Sequence, residues 1–280
     1  TNVVVTNAAT IAQLTALDTA NGNGGLTYTS ISDAAGTLAT DAATNTGQGT
    51  YVTSGKNVTV TGAASIAQLT AIDSANGGGT LTYTAVSDTP SNLVPSGTVS
   101  TRVQAATAVT VITNPATASE ANALAKATTG VVTATVVADT ASSLVSATPN
   151  AAITDALTFT VSAGSAAASD LNTLDGRTNV AVVATAVTAT TGTAADIVTA
   201  LGSSGITKAA SVAVTLSGND TLAELKSINN ATSGTITLNG SSGAAVALSG
   251  SAADVSAALS GITGYTGNVT LTDTTLTASV

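Results

Sequence analysis

The residue types in this chain limit the chemistry that it can perform. Its 280 residues include no His and no Cys, so the usual pairing of a nucleophile with a neighbouring base cannot be built. The only Glu residues are Glu120 and Glu224, and each stands three positions after a Thr, where helix capping explains it. Because no spacing brings carboxylates together as a glycosidase pair requires, we expect no enzyme activity.

Four Asp residues share one sequence setting. Each ends a strand-like stretch and precedes a short helical one: Asp33, Asp88, Asp139 and Asp273. A carboxylate at that place can accept a hydrogen bond from the first free N–H groups of a helix. We therefore predict that these residues are N-caps, with metal binding as the alternative.

Two other Asp residues suggest a cation site. Asp18 and Asp73 lie near predicted helix C-termini, where an acid opposes the helix dipole. Asn21 and Asn76 follow them three positions later, and exposed carbonyl groups should lie nearby. Oxygen ligands of these kinds suit Ca²⁺. Calcium at Asp18, Asn21, Asp73 and Asn76 is one prediction, and turn formation by the Asn side chains is the alternative.

The stretch 57–94 shows which elements position these residues. Val58 and Val60 alternate with Thr59 and Thr61, which is the two-residue period of a half-buried strand. Ser65 and Gln68 then form a capping box, which predicts that a helix begins there. Ile66, Leu69 and Ile72 would lie on one stripe of this helix, and the glycines at 77–79 would end it.

Similarity at a steady interval organises the whole chain. The opening strand of each repeat begins near residue 3, 58, 109, 157, 214 and 269, at steps of 55, 51, 48, 57 and 55. Four repeats carry the capping box at the matching place, as Thr10 with Gln13, Ser65 with Gln68, Thr117 with Glu120, and Thr221 with Glu224. Such regularity is typical of a repeat array. We predict a single array over 1–280, with repeats near 3–57, 58–108, 109–156, 157–211 and 212–267 and a partial repeat at 268–280.

The alternation of strands with short helices predicts the fold class. Brief connections favour parallel strands with right-handed crossovers. Because each strand is apolar on one face only, helices should cover one side of the sheet and leave the other side bare. We predict an α/β fold, an open solenoid of about ten short strand–helix units with a parallel sheet. An all-β solenoid is the alternative, since several helical stretches are short.

Composition and charge restrict the partners. Only 8% of the residues are charged and 2% are aromatic, and the net charge is −9 with a pI near 4.1. This charge weighs against nucleic acid and anionic lipid as partners, and no apolar run is long enough to insert into a membrane. The mean hydropathy of +0.42 argues for an ordered chain. Because the chain lacks Met, we expect a processed or excised product.

Thr residues recur on the bare face of the predicted sheet. They include Thr27, Thr29, Thr59, Thr61, Thr82, Thr84, Thr133 and Thr135. Ordinary β-propensity on a wet face explains such residues. A flat, uncharged hydroxyl surface could also bind a neighbouring chain, a glycan or ice. Stacked T-x-T pairs resemble those of ice-binding solenoids, although this chain lacks their uniform coil length.

The chain as a whole resembles the repeat segments of long Ala/Thr-rich bacterial surface proteins. These are S-layer subunits, giant adhesins and extracellular matrix fibres, and the resemblance lies in composition and repeat style over the full chain. The calcium-binding nonapeptide GGxGxDxUx that often accompanies them is absent. The resemblance implies a secreted or cell-surface structural protein.

The ends of the array suggest how such a protein would assemble. A solenoid that starts on Val3 and Val5 and stops on Val269 and Leu271 has an unpaired strand edge at each end. We therefore predict end-to-end association of identical copies into a fibre, sheath or lattice, or continuation of the array into a longer protein. An adhesin or an ice- or glycan-binding module that uses the exposed Thr columns is the alternative function.

Overall fold

The computed structural model describes residues 1–217, 221–238, 247–263, 265 and 267–273. Within these residues the protein has eleven α-helices and nineteen short strands, and the strand pairings within each half of the chain are parallel. The predicted α/β class and parallel pairing are therefore confirmed, and the described helices exclude the all-β alternative. The chain divides into two compact halves, Thr1–Thr135 and Val136–Val280.

The N-terminal half contains nine strands and six helices. The strands are β1 (Val3–Val5), β2 (Leu26–Tyr28), β3 (Ser30–Ala34), β4 (Asn57–Thr61), β5 (Ala63–Ala64), β6 (Leu81–Thr82), β7 (Ala85–Asp88), β8 (Ala108–Val111) and β9 (Val131–Thr135). The helices are α1 (Ile11–Asn21), α2 (Ala35–Ala42), α3 (Ile66–Asn76), α4 (Pro90–Leu93), α5 (Thr101–Gln104) and α6 (Ala118–Ala127). A 3₁₀ turn, Pro95–Gly97, lies between α4 and α5.

Strands of this half pair with strands one repeat unit away. β1 pairs with β2, while β3, β4 and β6 form one sheet and β5, β7, β8 and β9 pair in that order. Most paired residues are 22 or 23 positions apart, as Val58 with Leu81 and Val109 with Val132. In β4 and β9 buried and exposed residues alternate strictly, so one face of the sheet is wet, as the sequence predicts.

The C-terminal half contains ten strands and five helices. The strands are β10 (Ala156–Thr158), β11 (Gly164–Ala167), β12 (Val182–Ala184), β13 (Val187–Gly192), β14 (Ile206–Lys208), β15 (Ala213–Leu216), β16 (Ile236–Leu238), β17 (Leu248–Gly250), β18 (Ile262–Thr263) and β19 (Val269–Leu271). The helices are α7 (Ala141–Ala147), α8 (Ala168–Asp175), α9 (Ala194–Gly202), α10 (Leu222–Ala231) and α11 (Ala252–Leu259).

The C-terminal half repeats the same parallel arrangement. β11, β13, β15, β16 and β18 form one sheet, and β12 pairs with β14 and β17 with β19. The successive helices α7 to α11 pack against one another in order. Apolar side chains between helices and strands form the core, with Leu144, Leu157, Phe159, Leu174 and Ile197 fully buried.

Helix boundaries follow local capping signals. All four predicted capping boxes are present, at α1, α3, α6 and α10. At α8 the N-cap is Ala167, which offers no side-chain hydrogen bond, as its residue type requires. Gly22 and Gly77 end α1 and α3 with φ values of 61° and 56°, a conformation that glycine adopts without strain.

The units contain more strands than the sequence predicts. Most helices follow two short strands separated by a bend, such as β4 and β5 before α3 and β12 and β13 before α9. Several of the second strands escaped sequence analysis because they consist of small residues with no alternation, for example Ala63–Ala64 and Gly164–Ala167. Pairing to the neighbouring unit, rather than local propensity, holds them extended.

Candidate functional site

Three of the four Asp residues accept the first N–H of a helix, but each of these helices begins 21 or 22 residues earlier in the chain, not after the acid as predicted. The N-cap of α2 is Ala34, and Asp33 Oδ2 instead accepts the Ile11 N–H at the start of α1, at 2.9 Å. Asp88 Oδ2 accepts the Ile66 N–H of α3 in the same way, at 2.9 Å. The strand that carries each acid lies beside the helix that starts 22 residues earlier, so the cap joins two units.

The other two Asp residues are placed as follows. Asp273 Oδ2 accepts the N–H of Ala252 at the start of α11, which also joins two units. Asp139 lies next to its own helix, where its Oδ1 accepts the Thr140 N–H at 2.7 Å. The N-cap of α7 is Thr140 itself, whose hydroxyl accepts the Ser143 N–H.

Calcium was predicted at two positions, and at one of them, Asp73 with Asn76, the side chains bind other groups of the protein. The Asp73 carboxylate forms an ion pair with Arg102 at 2.6 Å, and the fully buried Asn76 donates from Nδ2 to Gly79 O at 3.1 Å. Asp18 is exposed, and Asn21 is partly exposed at the end of α1. In the described part of the chain, no three Asp, Glu, His or Cys side chains form a group that could hold a metal ion. Calcium binding at Asp18, Asn21, Asp73 and Asn76 stays a prediction.

Both Glu residues occupy helix N-termini. Glu120 Oε2 accepts the Thr117 N–H at 2.8 Å, and Glu224 Oε2 accepts the Thr221 N–H at 2.9 Å. The Thr hydroxyl of each box in turn accepts the N–H of its Glu. Each carboxylate is therefore committed to the capping box that the sequence predicts.

The predicted Thr columns are exposed and lie partly in register. All eight of the predicted Thr residues are exposed. Thr59 of β4 pairs with Thr82 of β6 on one side and with Ser32 of β3 on the other. The three residues therefore form one row across the sheet. A second column runs from Ser87 through Thr110 to Thr133. These strands belong to two sheets, β3 with β4 and β6, and β5 with β7, β8 and β9, and we call the outward positions of both sheets together the hydroxyl face.

The hydroxyl face carries no charged side chain among its described residues. Its outward positions are Ser30, Ser32, Ala34, Asn57, Thr59, Thr61, Ala63, Thr82, Ala85, Ser87, Ala108, Thr110, Val131, Thr133 and Thr135. No aromatic residue is among them. The face therefore consists of small, uncharged residues, although the chain has a net charge of −9.

The predicted assembly edges are strands that pair on one side only among the described residues. β1 pairs with β2, and Val3 donates its N–H to Gly25 O at 2.8 Å. Neighbouring residues of a parallel strand bond to opposite sides, so the Val4 N–H points to the open edge. Val3 and Val5 are partly exposed, and Val269 and Leu271 in β19 are each 41% exposed.

The first and second repeats give a direct comparison, because residues 55 positions apart match. In the second repeat Val58, Ile72 and Ala75 are at most 2% exposed. Their counterparts in the first repeat, Val3, Leu17 and Ala20, are partly or fully exposed. The preceding unit makes the difference, since Asn57 donates its N–H to Thr29 O of that unit at 3.0 Å. We call the exposed counterparts in the first repeat the open end.

The two long loops of the N-terminal half are tied down by buried polar groups. Asp41, 7% exposed, accepts the N–H groups of Tyr51 and Val52 at 3.0 and 2.7 Å. The Tyr28 hydroxyl donates to Tyr51 O at 2.8 Å, and the Tyr83 hydroxyl donates to Arg102 O at 2.9 Å. Burial raises the pKa of both Tyr28 and Tyr83 above the usual value.

Basic side chains also join neighbouring units. Lys226 of α10 pairs with Asp254 of α11, and hydrogen bonds from Lys226 and Ser251 hold the pKa of Asp254 below its usual value. Arg177 donates to Val145 O, while Lys56 Nζ donates to Tyr28 O at 2.8 Å. With Arg102 on Asp73, four of the six basic residues contact another unit.

Sequence analysis missed a recurring hydroxyl at the helix-to-strand corner. After α6, Thr128 donates to Ala106 O at 2.6 Å and accepts the Gly130 N–H at 2.9 Å. After α10, Thr232 donates to Val212 O at 2.6 Å and accepts the Gly234 N–H at 3.0 Å. A Cβ at Gly130 would lie 2.0 Å from Thr107 O, so only glycine fits. The pattern Thr-x-Gly before a strand is the signal that could have found it.

Comparison with known protein families, with curated proteins and with solved structures finds no match for this chain. The described residues include no helix with the length and apolar character needed to cross a membrane. Functional inference therefore rests on the open end and on the hydroxyl face.

Proposed function

We propose that this chain is an extracellular structural protein whose copies associate end to end into a fibre, sheath or surface lattice. In this proposal the strand–helix units continue as an open solenoid. Support comes from the pairing offsets, which run only from 21 positions (Leu248 with Val269) to 27 positions (Ser30 with Asn57). Support also comes from the inter-unit caps at Asp33 and Asp88, because each unit supplies a group that its neighbour needs.

The observation that carries the proposal is the matched exposure of the first two repeats. The side chains of the open end are identical to those that the second repeat buries beneath a preceding unit, except that Leu17 stands where the second repeat has Ile72. The groove beside them, about 470 Å³ in volume, is lined mainly by apolar atoms from Val5, Ala8, Ala9, Ala16 and Leu17. We infer that the β19 end of a second copy covers the open end. A head-to-tail contact of this kind is open and generates filaments.

The extracellular assignment rests on composition and on the resemblance to surface-protein repeats. The chain has no Cys, few charged residues and a net charge of −9. A second candidate function is an adhesin or an ice- or glycan-binding module. The exposed, in-register pair Thr59 with Thr82 favours it, as does the pairing of the half-buried Thr110 with the exposed Thr133.

The proposal is tested by blocking the open edge of β1. Val4→Pro removes the N–H that points away from β2 but leaves the Val3 bond to Gly25 in place. Val4 is 67% exposed, so the substitution should leave the fold intact. We expect filaments of the parent protein in electron micrographs at high micromolar concentration, and monomers for Val4→Pro.

The matched control is Val4→Thr, which keeps the N–H and the β-branched shape. It should assemble as the parent does. A parent protein that stays a compact monomer, or Val4→Pro filaments as long as those of the parent, would show that the β1 edge is not an assembly contact.

A further inference from the structure

Strands β3 and β4 show how this protein joins two successive units at a strand edge. Their parallel pairing sets Ile31 opposite Val58, and across it Asn57 donates its N–H to Thr29 O at 3.0 Å. Strand β1 is the counterpart of β4 in the first repeat, 55 residues earlier, but among the described residues it pairs only with β2. A strand that corresponds to β3 is therefore the occupant that the open edge of β1 fits.

Strand β19 occupies the same place in its unit as β3. Leu271 pairs with the residue before the N-cap of α11, as Ile31 pairs with the residue before the N-cap of α1. Two residues later, Asp273 accepts the first N–H of α11, as Asp33 accepts the first N–H of α1. Strand β7 also corresponds to β3, but its outer edge already pairs with β8. Among the described strands, β19 is thus the counterpart of β3 whose outer edge is open.

The backbone groups at the two open edges are complementary. Neighbouring residues of a parallel strand bond to opposite sides. In β19, Thr272 donates its N–H to Gly250 O of β17, so the N–H and C=O groups of Leu271 point to the open edge. In β1, Val3 bonds to β2, so the N–H and C=O groups of Val4 point to the open edge. Each edge therefore offers the alternating donors and acceptors that the other lacks.

We propose that β19 of one copy pairs in parallel with β1 of the next copy, in the register that joins β3 to β4. This inference rests on the proposed function and adds the residues that meet. Leu271 then lies opposite Val3, and Thr272 lies opposite Val4. The Val4 N–H donates to Leu271 O, and the Asp273 N–H donates to Val4 O. Leu271 would pack beside Val3 on the inward side, as the counterparts of both residues do in β3 and β4.

The competing arrangement is a slip of the two strands by two residues. Such a slip keeps the inward and outward sides of both strands, so the side-chain pattern alone does not exclude it. It would place Thr270, rather than Thr272, opposite Val4. The pairing of β3 with β4 favours the first register, because it is the arrangement that these unit types adopt within the chain.

The lack of Cys in the chain makes the register measurable with introduced disulfides. Val4→Cys and Thr272→Cys, both at exposed positions, are prepared separately and mixed in equal amounts. Residues opposite each other on adjacent strands lie about 4.8 Å apart, within the span of a disulfide. The matched control mixes Val4→Cys with Thr270→Cys, which points the same way but would lie about 8 Å from Val4, beyond that span. Thr270→Cys mixed with Asn2→Cys, its expected neighbour, shows that the control thiol can react.

The mixtures are assembled at high micromolar concentration and oxidised with oxidised glutathione, and covalent dimers are counted on non-reducing gels. Val4→Cys should give at least about fivefold more dimer with Thr272→Cys than with Thr270→Cys, because only the first pair is within reach. Each variant oxidised alone should give no more dimer than the control mixture. An equal or higher yield for Val4→Cys with Thr270→Cys would overturn the proposed register.

Electron micrographs of the mixtures before oxidation separate this inference from the proposed function. Circular dichroism of each variant should match that of the parent, since all four positions are exposed. Filaments that yield no cross-link in any mixture would leave end-to-end association standing and refute the pairing of β19 with β1. Folded variants and a folded parent that form neither filaments nor dimers would refute both.

Discussion

At the scale of single residues, Asp88 shows how one carboxylate joins two units. It is 5% exposed and accepts three hydrogen bonds, from Ile66 N–H at 2.9 Å, Thr89 N–H at 2.8 Å and Asn92 Nδ2 at 2.8 Å. The bond to Ile66 caps α3, and the other two fix the start of α4. Removing the carboxylate leaves donors of both units without an acceptor, and water reaches this buried site poorly.

We predict that Asp88→Ala lowers the free energy of unfolding by about 3 kcal/mol, since each buried donor that loses its partner costs about 1–3 kcal/mol. Asp88→Asn should cost less, because one carbonyl oxygen remains to accept. Urea unfolding followed by circular dichroism measures both changes.

The matched control is Asp18→Ala, which removes an exposed acid from α1. It should change stability by no more than about 0.5 kcal/mol. An equal effect of the two alanine variants would mean that the inter-unit cap contributes nothing beyond the loss of a charge.

At the scale of elements, the helix-to-strand corner is a second joint between units. Thr128 is 8% exposed, and its hydroxyl satisfies both Ala106 O and the Gly130 N–H. Backbone groups at a corner have no ladder partner, so a side chain must replace it. The hydroxyl thus does for the end of α6 what Asp88 does for the start of α3.

Thr128→Val should destabilise the protein by about 2–3 kcal/mol, because the shape is kept while two buried backbone groups lose their partner. Thr128→Ser keeps the hydroxyl and should cost less than about 1 kcal/mol. Thr133→Val, on the exposed hydroxyl face, is the position control and should be nearly neutral. Thermal unfolding compares the three, and a Thr128→Val as stable as Thr133→Val would contradict the role of the corner.

What could be predicted from the sequence was local, as the capping boxes illustrate. The partners Ser65 and Gln68 stand three residues apart, so spacing alone identifies their mutual bonds. Asp88 was recognised as a cap but assigned to α4, since its partner Ile66 is 22 residues away and only the register reveals it. The acceptor of the Thr128 hydroxyl, Ala106 O, is also 22 residues away, so this bond too can be found only from the register.

For the candidate surfaces, too, local features were predicted and features that depend on the register were not. The Thr columns were predicted because a strand period of two fixes which side chains share a face. The alignment of these columns from strand to strand was not predicted, because β4 pairs with β3 at an offset of 27 residues and with β6 at an offset of 23 residues. Strand β5, Ala63–Ala64, was missed because its residues have no pattern that distinguishes a strand from a loop.

At the scale of the whole molecule, charge and contact surfaces have separate roles. The net charge of −9 opposes the approach of two copies, whereas Val3, Leu17 and Ala20 of the open end would make the proposed end-to-end contact without charged groups. Salt screens repulsion between exposed charges but leaves apolar contacts and backbone pairing largely intact. Association of this protein should therefore strengthen with salt, opposite to the behaviour of contacts built on ion pairs.

We predict that raising NaCl from about 0.01 M to about 0.1 M increases assembly, since the screening length falls from about 30 Å to about 10 Å. Light scattering at fixed protein concentration measures it. The variant Thr70→Lys with Ser74→Lys adds two positive charges, which changes the net charge from −9 to −7, so it should assemble more readily at low salt and respond less to NaCl. Assembly that dissolves as salt rises would instead identify ion pairs as the contacts, and the proposed apolar contact at the open end would then be wrong.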